Sequence, residues 1–291
     1  IDSLSLSDET NKYLNDGISA IGVFGDNLII AAAISDGDTP IGSGLYFTGN
    51  SIDSSITWIF HEQPQEDTEE DSLKVPFGGR YFTMLPVTTA HANVSYDATI
   101  SDNYIWITSW AGGLRRIEIS NASDPNQTWT NVPLPNDNDK FLMACDDTSY
   151  VTNADGKEVL KNYYLNPRDP LDGGNHNHKA FSVLAYSDTV WVGTANGINR
   201  GIFGSQGCID WQHYAYPFEN LSGNFVVSIA RQYWNGQRII WAATMNADDP
   251  TEQRGVSYTL NDGDTWHTAL IGERVYNVYA KDSLVFAASE K

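Results

Sequence analysis

Val190-Trp191-Val192-Gly193-Thr194 reads as a short strand with apolar side chains on both faces, closing on small residues. The run recurs along the chain. Copies stand at Ile29-Ile30-Ala31-Ala32-Ala33, Ile105-Trp106-Ile107-Thr108-Ser109, Ile240-Trp241-Ala242-Ala243-Thr244 and Val285-Phe286-Ala287-Ala288-Ser289, with a degenerate one at Ser149-Tyr150-Val151-Thr152-Asn153. The large second residue falls at 30, 106, 150, 191, 241 and 286, giving spacings of 76, 44, 41, 50 and 45. Apart from the first, these match one four-stranded repeat unit of about 40–50 residues.

The flanks repeat as well. Seven to ten residues before the column comes a second apolar segment, such as Phe181-Ser182-Val183-Leu184-Ala185 or Phe225-Val226-Val227-Ser228-Ile229-Ala230. Strands apolar on both faces are covered on both sides. After the column come a glycine and a third strand (Gly44-Leu45-Tyr46, Gly113-Leu114-Arg115, Gly197-Ile198-Asn199, Gly255-Val256-Ser257), then a tryptophan at 58, 129, 211 or 266. Four strands with a hairpin glycine between the second and third describe a propeller blade. Small residues after the large one, Gly193, Ala243 and Ala288, suit blades that converge on an axis.

The expectation is therefore an all-β chain: a β-propeller of four-stranded blades, six copies visible and the last incomplete, with six or seven blades in the intact ring. One domain spans 1–291, with repeats at 18–60, 93–133, 141–165, 180–216, 225–268 and 275–291. Residues 61–92 read as an insertion. Its acidic part, Glu62 to Asp71, is expected to be a solvated mobile loop, and Arg80-Tyr81-Phe82-Thr83-Met84-Leu85 an extra strand. Ser3-Leu4-Ser5-Leu6-Ser7 is the one alternating stretch before the first copy. It either closes the ring against the last blade, or the chain is a piece of a longer protein. The unfinished last copy favours the second reading.

The formal charge is −20 and the isoelectric point near 4.4. A surface so acidic repels phosphate backbones and anionic headgroups, which argues against nucleic-acid and membrane binding. Cys145 and Cys208 have no metal-like spacing, and the sequence leaves a disulfide and two buried thiols both open. No apolar run approaches 18 residues. Asn93, Asn121, Asn126 and Asn220 stand in Asn-x-Ser/Thr sites.

Thr259-x-Asn261-x-Gly263-x-Thr265-Trp266 resembles the Asp-box of sialidase-like (BNR-repeat) propellers, with Asn261 in place of the aspartate. The run from Trp191 to Arg200 is similar to propeller repeats of two-component sensor ectodomains. The resemblance implies a structural role for Thr259, Asn261, Gly263, Thr265 and Trp266: a turn on the outer part of a blade, closed by its own polar side chain. It does not carry a sialidase site, because the Tyr/Phe-Arg-Ile-Pro stretch holding one arginine of the family's triad is missing.

No catalytic set assembles from the sequence. A glycoside hydrolase needs two facing carboxylates, and the 37 acids, among them Asp97, Asp102, Asp146, Asp147 and Asp188, offer no way to choose. Asp172, His176 and His178 are the candidate metal ligands, in a Gly/Asn-rich loop where a plain polar loop is the commoner outcome. Calcium is considered at Asp36-Gly37-Asp38 and Asn136-Asp137-Asn138-Asp139, without the spaced ligand set of a known loop. No other cofactor is implied. Tyr214, Tyr216 and Trp234 are the candidate binding aromatics, expected on exposed loops.

The functional expectation is a secreted, periplasmic or cell-surface module that binds a protein or glycan without catalysis, within a larger surface protein. The alternative is a carbohydrate-active enzyme with carboxylates at the axial pocket.

Overall fold

The computed structural model describes residues 17–37, 39–51, 55–66, 70–86, 93–247 and 249–290. The stretch Ser3–Ser7 and Asp38 lie outside them. The chain is all-β, and most of it forms four-stranded sheets in sequence order. Sheet 1 holds β1 (Gly17–Phe24), β2 (Asn27–Asp36), β3 (Thr39–Thr48) and β4 (Ile59–His61). A hairpin follows, β5 (Leu73–Phe77) and β6 (Arg80–Met84). Sheet 2 holds β7 (Ser95–Ile100), β8 (Tyr104–Ser109), β9 (Gly113–Glu118) and β10 (Thr130–Asn131). Three strands come next: β11 (Phe141–Met143), β12 (Tyr150–Thr152) and β13 (Glu158–Leu165). Sheet 3 is β14 (Ala180–Tyr186), β15 (Thr189–Thr194), β16 (Gly197–Phe203) and β17 (Ile209–Tyr214). Sheet 4 is β18 (Phe225–Trp234), β19 (Gln237–Met245), β20 (Gly255–Thr259) and β21 (His267–Ala269); sheet 5 is β22 (Val275–Lys281) with β23 (Leu284–Ser289).

The segment 141–165 does not make a sheet of its own. β11 pairs with β17 as a fifth strand of sheet 3. β12 and β13 join the 61–92 insertion instead, in the order β12-β13-β6-β5, with β13 parallel to β6. The insertion thus supplies a complete hairpin. Its tip, Gly78-Gly79, has φ of +59° and +76°, a conformation glycine adopts without penalty. A Cβ on Gly78 would also lie 2.5 Å from Cys208 Cβ. The tip is seated on the Cys145–Cys208 disulfide, which resolves the pairing left open by the sequence. The acidic part is not wholly solvated either: Gln63 is buried, and the Glu66 carboxylate is buried against Arg115.

The five sequential sheets stack through their first strands, β1 on β7, β7 on β14, β14 on β18 and β18 on β22. Each first strand carries a bulge at the same place, leaving Ser19, Tyr96, Phe181, Val227 and Tyr276 out of the ladder. A bulge bends the strand and re-aims its side chains. The residue after it ties neighbouring sheets together. Asp97 accepts from Val183 N–H at 2.8 Å, Ser182 Oγ donates to Val226 O at 3.3 Å, and Ser228 Oγ accepts from Val278 N–H at 3.2 Å. Convergence here is tight: a Cβ on Gly193 would lie 2.8 Å from Val226 O.

Trp106 and Trp191 of the repeat column are completely buried by the following sheet. In sheet 1 the equivalent residue is Ile29, not Ile30. Ile29 pairs with Gly22, three residues past the bulge, as Trp191 pairs with Leu184. A one-residue slip in a strand exchanges its faces, so Ile30 lies on the face away from sheet 2. That face also exposes Ile21 and Val23, and at the other end of the stack Tyr279, Leu284 and Phe286 are exposed. Phe286 is 56% exposed at the position where Trp191 is 0%.

Candidate functional site

The bulges bring aromatic residues from successive sheets together. Phe181 packs against Tyr96 from β7 (ring centroids 5.2 Å), against Phe225 from β18 (4.4 Å) and against Trp110 (5.5 Å). Trp110 lies in the turn between β8 and β9. There Ser109 Oγ accepts from Gly112 N–H and donates to Asn93 Oδ1, holding the turn. Lys179 Nζ stands 4.6 Å from the Trp110 ring centroid, a cation–π contact. Phe181 is buried beneath this cluster, while Tyr96 and Trp110 keep 39% and 37% of their surface exposed. The result is an aromatic platform with the buried Lys179 beside it, at the end of the stack where the first strands begin.

Asp97 follows Tyr96 and is partly buried. Burial pushes its carboxyl up to about 6, against the opposing effect of N–H groups from Val183 and Ala98. One oxygen accepts from Ala98 and the other from Val183. Its first role is therefore a brace between β7 and β14. Burial also raises the Tyr96 phenol above its ordinary value, which keeps it a neutral donor at physiological pH.

Beside the platform, between sheets 1 and 2, is a cleft of about 510 Å³ lined by residues that include His61, Gln63, Arg115 and Trp129. Asn93 and Ser95 join the two features: Gln63 Nε2 donates to Asn93 O at 2.7 Å and reaches Ser95 Oγ at 3.4 Å. His61 Nε2 donates to Ala122 O at 2.8 Å, and burial lowers the His61 pKa. The ring is neutral, with Nδ1 left as an acceptor. His61 Nδ1, Gln63 Oε1 and Trp129 Nε1 are buried without a hydrogen-bond partner among the described residues.

The candidate binding aromatics do not meet. Tyr214 is buried, stacked on Trp191 and edge-to-face with Trp266, with its hydroxyl donating to Asp262 O. The expected loop exposure is thus overturned, because Tyr214 still belongs to β17. Burial pushes its phenol up to about 12. Tyr216 N–H donates to Asn224 Oδ1 at the start of β18, and its hydroxyl lies 3.0 Å from Thr251 Oγ1. Trp234 is exposed at the far end of β18, about 30 Å along the strand.

Nor do the metal candidates converge. His178 is buried; Nδ1 accepts from Asn166 N–H at 3.1 Å and Nε2 donates to Leu134 O at 3.2 Å. Both ring nitrogens are occupied, and burial lowers its pKa to about 4. His176 Nε2 is 3.6 Å from Asp169 Oδ2, and Asp172 is exposed in the turn Pro170–Asp172. At the calcium candidate, the two oxygens of Asp137 accept from His176 and Asn177 N–H, and Asn136 Nδ2 donates to Asp139 Oδ2. No group of three or more His, Cys, Asp or Glu able to hold a metal occurs among the described residues.

At 259–266, Thr265 N–H donates to Asn261 Oδ1 at 3.0 Å and Gly263 N–H to Thr259 Oγ1 at 2.9 Å. Gly263 has φ of +98°, and Trp266 is buried against Trp191 and Tyr214. These residues build a turn between the outer strands β20 and β21.

Sequence reading missed the platform. The available signal was positional: Tyr96, Phe181 and Tyr276 each stand ten residues before the column residue of their repeat, where an aromatic meets its neighbours once the bulges align. Among the described residues no helix is long and apolar enough to cross a membrane.

No family model matches the chain, and no curated protein does. Among solved structures, it is similar to the extracellular domain of a protein described as a hybrid two-component system from B. thetaiotaomicron, at 17% identity and a TM-score of 0.47. That match covers 94% of this chain and 26% of the other. A GH43 β-1,3-galactosidase matches at 8% identity, covering 91% of this chain and 50% of the other, TM-score 0.42. PorZ, a surface component of the type-IX secretion system of Porphyromonas gingivalis, matches at 9%, covering 92% and 38%, TM-score 0.40. The chain spans about a quarter of the length of the first of these.

Proposed function

We propose that this chain is the ligand-binding part of a propeller exposed outside the cytoplasm, and that it takes a glycan on the Tyr96–Trp110–Phe181 platform without transforming it. The platform carries the proposal. Tyr96 and Trp110, propped on the buried Phe181 by a rigid scaffold, offer exposed aromatic surface for a sugar ring, and the Tyr96 hydroxyl supplies a directional contact at its edge. The disulfide supports an oxidising compartment. Asp97 favours binding over catalysis, since both its oxygens are engaged by backbone N–H groups.

The uncovered faces of sheets 1 and 5 support a ring of six or seven blades within a larger surface protein. They expose apolar side chains where the inner sheets bury theirs, and a further sheet of the same kind would cover them.

One observation favours the alternative of a carbohydrate-active enzyme: the Asp97 carboxyl, raised to about 6, is suited to give up a proton near neutrality. That reading requires a second carboxylate across the sugar.

The test is a glycan array followed by titration of any hit. Binding is expected to fall at least about tenfold in Trp110→Ala and Tyr96→Ala while Trp234→Ala binds normally. An empty array, or hits indifferent to Trp110→Ala, refutes the platform. Release of reducing sugar from a bound glycan, abolished in Asp97→Asn, would establish the enzyme instead.

A further inference from the structure

β9 carries two adjacent arginines on opposite faces, and they meet opposite fates. Arg115 turns toward sheet 1 and pairs with the buried carboxylate of Glu66. Arg116 turns toward sheet 3, equally buried at 6% exposure, with no carboxylate in ion-pair range among the described residues. Its guanidinium sits among aromatic rings instead: Tyr104 at 4.4 Å, Phe77 at 4.9 Å, Trp106 at 5.6 Å and Phe203 at 6.0 Å. Nη2 donates to Gly207 O, and Nη1 has no hydrogen-bond partner among the described residues.

Buried charges are ordinarily paired, because desolvating an ion costs more than a partial set of contacts returns. The rings offset part of that cost but accept no hydrogen bond from Nη1. Arg116 also lines a cavity of about 240 Å³ where three parts of the fold meet: the Gly78-Gly79 hairpin tip, Asn121 from sheet 2, and the Gln206 loop of sheet 3. At about 30 Å³ per water this space holds a small organic acid, up to about one sugar ring. Among the described residues one acid lines it, Glu118, exposed and two residues along β9 from Arg116.

We infer that Arg116 is the anchoring cation of a site for a small carboxylate, closed by the hairpin tip and separate from the aromatic platform. Nη1 is itself enclosed, so a carboxylate is drawn by the unpaired charge that the planar guanidinium, held among rings, brings to the cavity wall. The hairpin tip of the insertion, seated on the disulfide, forms one wall.

The test is titration of the ¹⁵N-labelled chain with sodium acetate and sodium glucuronate, against sodium chloride at equal ionic strength, following the Gly78, Gly79 and Gly207 amides. Saturable shifts are expected with both carboxylates and not with chloride. Glu118→Gln removes the one nearby negative charge and is expected to tighten binding about fivefold. Arg116→Met is expected to weaken it by at least about tenfold. Equal shifts with chloride, no saturation with either carboxylate, or unchanged saturation in Arg116→Met would each overturn the site. If Arg116→Met does not fold, the wild-type titration and Glu118→Gln decide, and an affinity unmoved in Glu118→Gln overturns it.

Discussion

Replacing Asp97 with asparagine should change how stability depends on pH, and the size of that change follows from where the carboxyl sits. In the folded chain its pKa is raised from 3.8 to about 6 by burial. Between those values the native state holds more proton than the unfolded state. The stability from this group is therefore complete below pH 3.8 and lost as pH rises through about 6. A shift of about two units corresponds to about 3 kcal/mol in all, roughly half of it falling between about pH 5 and about pH 7.5. Asparagine has one acceptor oxygen for the two N–H groups of Ala98 and Val183, so a constant offset is expected at every pH. The pH-dependent part is the test. Urea unfolding of both proteins, followed by tryptophan fluorescence, should show the variant gaining about 1.5 kcal/mol on wild type between about pH 5 and about pH 7.5. A ¹³C titration of the Asp97 carboxyl should place its midpoint near 6. A difference flat across that range, or a midpoint near 4, would refute the claim that the brace between β7 and β14 is desolvated.

Replacing Cys145 and Cys208 with serine releases a loop of 63 residues in sequence separation and should cost about 4 kcal/mol on the chain-entropy account, read as a lower unfolding midpoint. Asn261→Ala removes the acceptor of Thr265 N–H and should cost about 1–2 kcal/mol, with ligand binding at the platform unchanged; an effect on binding would contradict a structural role for that turn. Trp191→Ala should cost about 3–5 kcal/mol, whereas Phe286→Ser, at the same repeat position, should stay within about 0.5 kcal/mol in this chain. A large loss at Phe286 would mean that its face is covered after all.

The sequence by itself determined most of the strands and the grouping of those in sheets 1 to 4, but not of those in 141–165. The column of large residues, the glycine after it and the outer tryptophan recur because each inner sheet meets the same demand: two covered faces and a tight hairpin. That demand acts locally, so it leaves a local pattern, and Trp106, Trp191, Gly193 and Trp266 occupy the places the pattern predicts. Tertiary structure decided whatever depends on segments far apart in the chain. The parallel pairing of β6 with β13 leaves no periodic trace, since 80–84 and 158–165 are each ordinary apolar strands. Register decided the fate of Ile29 and Ile30, because one residue of slip exchanges the two faces. Among 37 acids, Asp97 stands out only once a bulge turns it toward Val183. Tyr214 and His178 looked available in the sequence; the Trp191 and Trp266 rings that cover the one and the Leu134 carbonyl that engages the other come from elsewhere in the chain. The platform belongs to the same class: its three ring contacts join four segments, and each segment carries only one aromatic toward it.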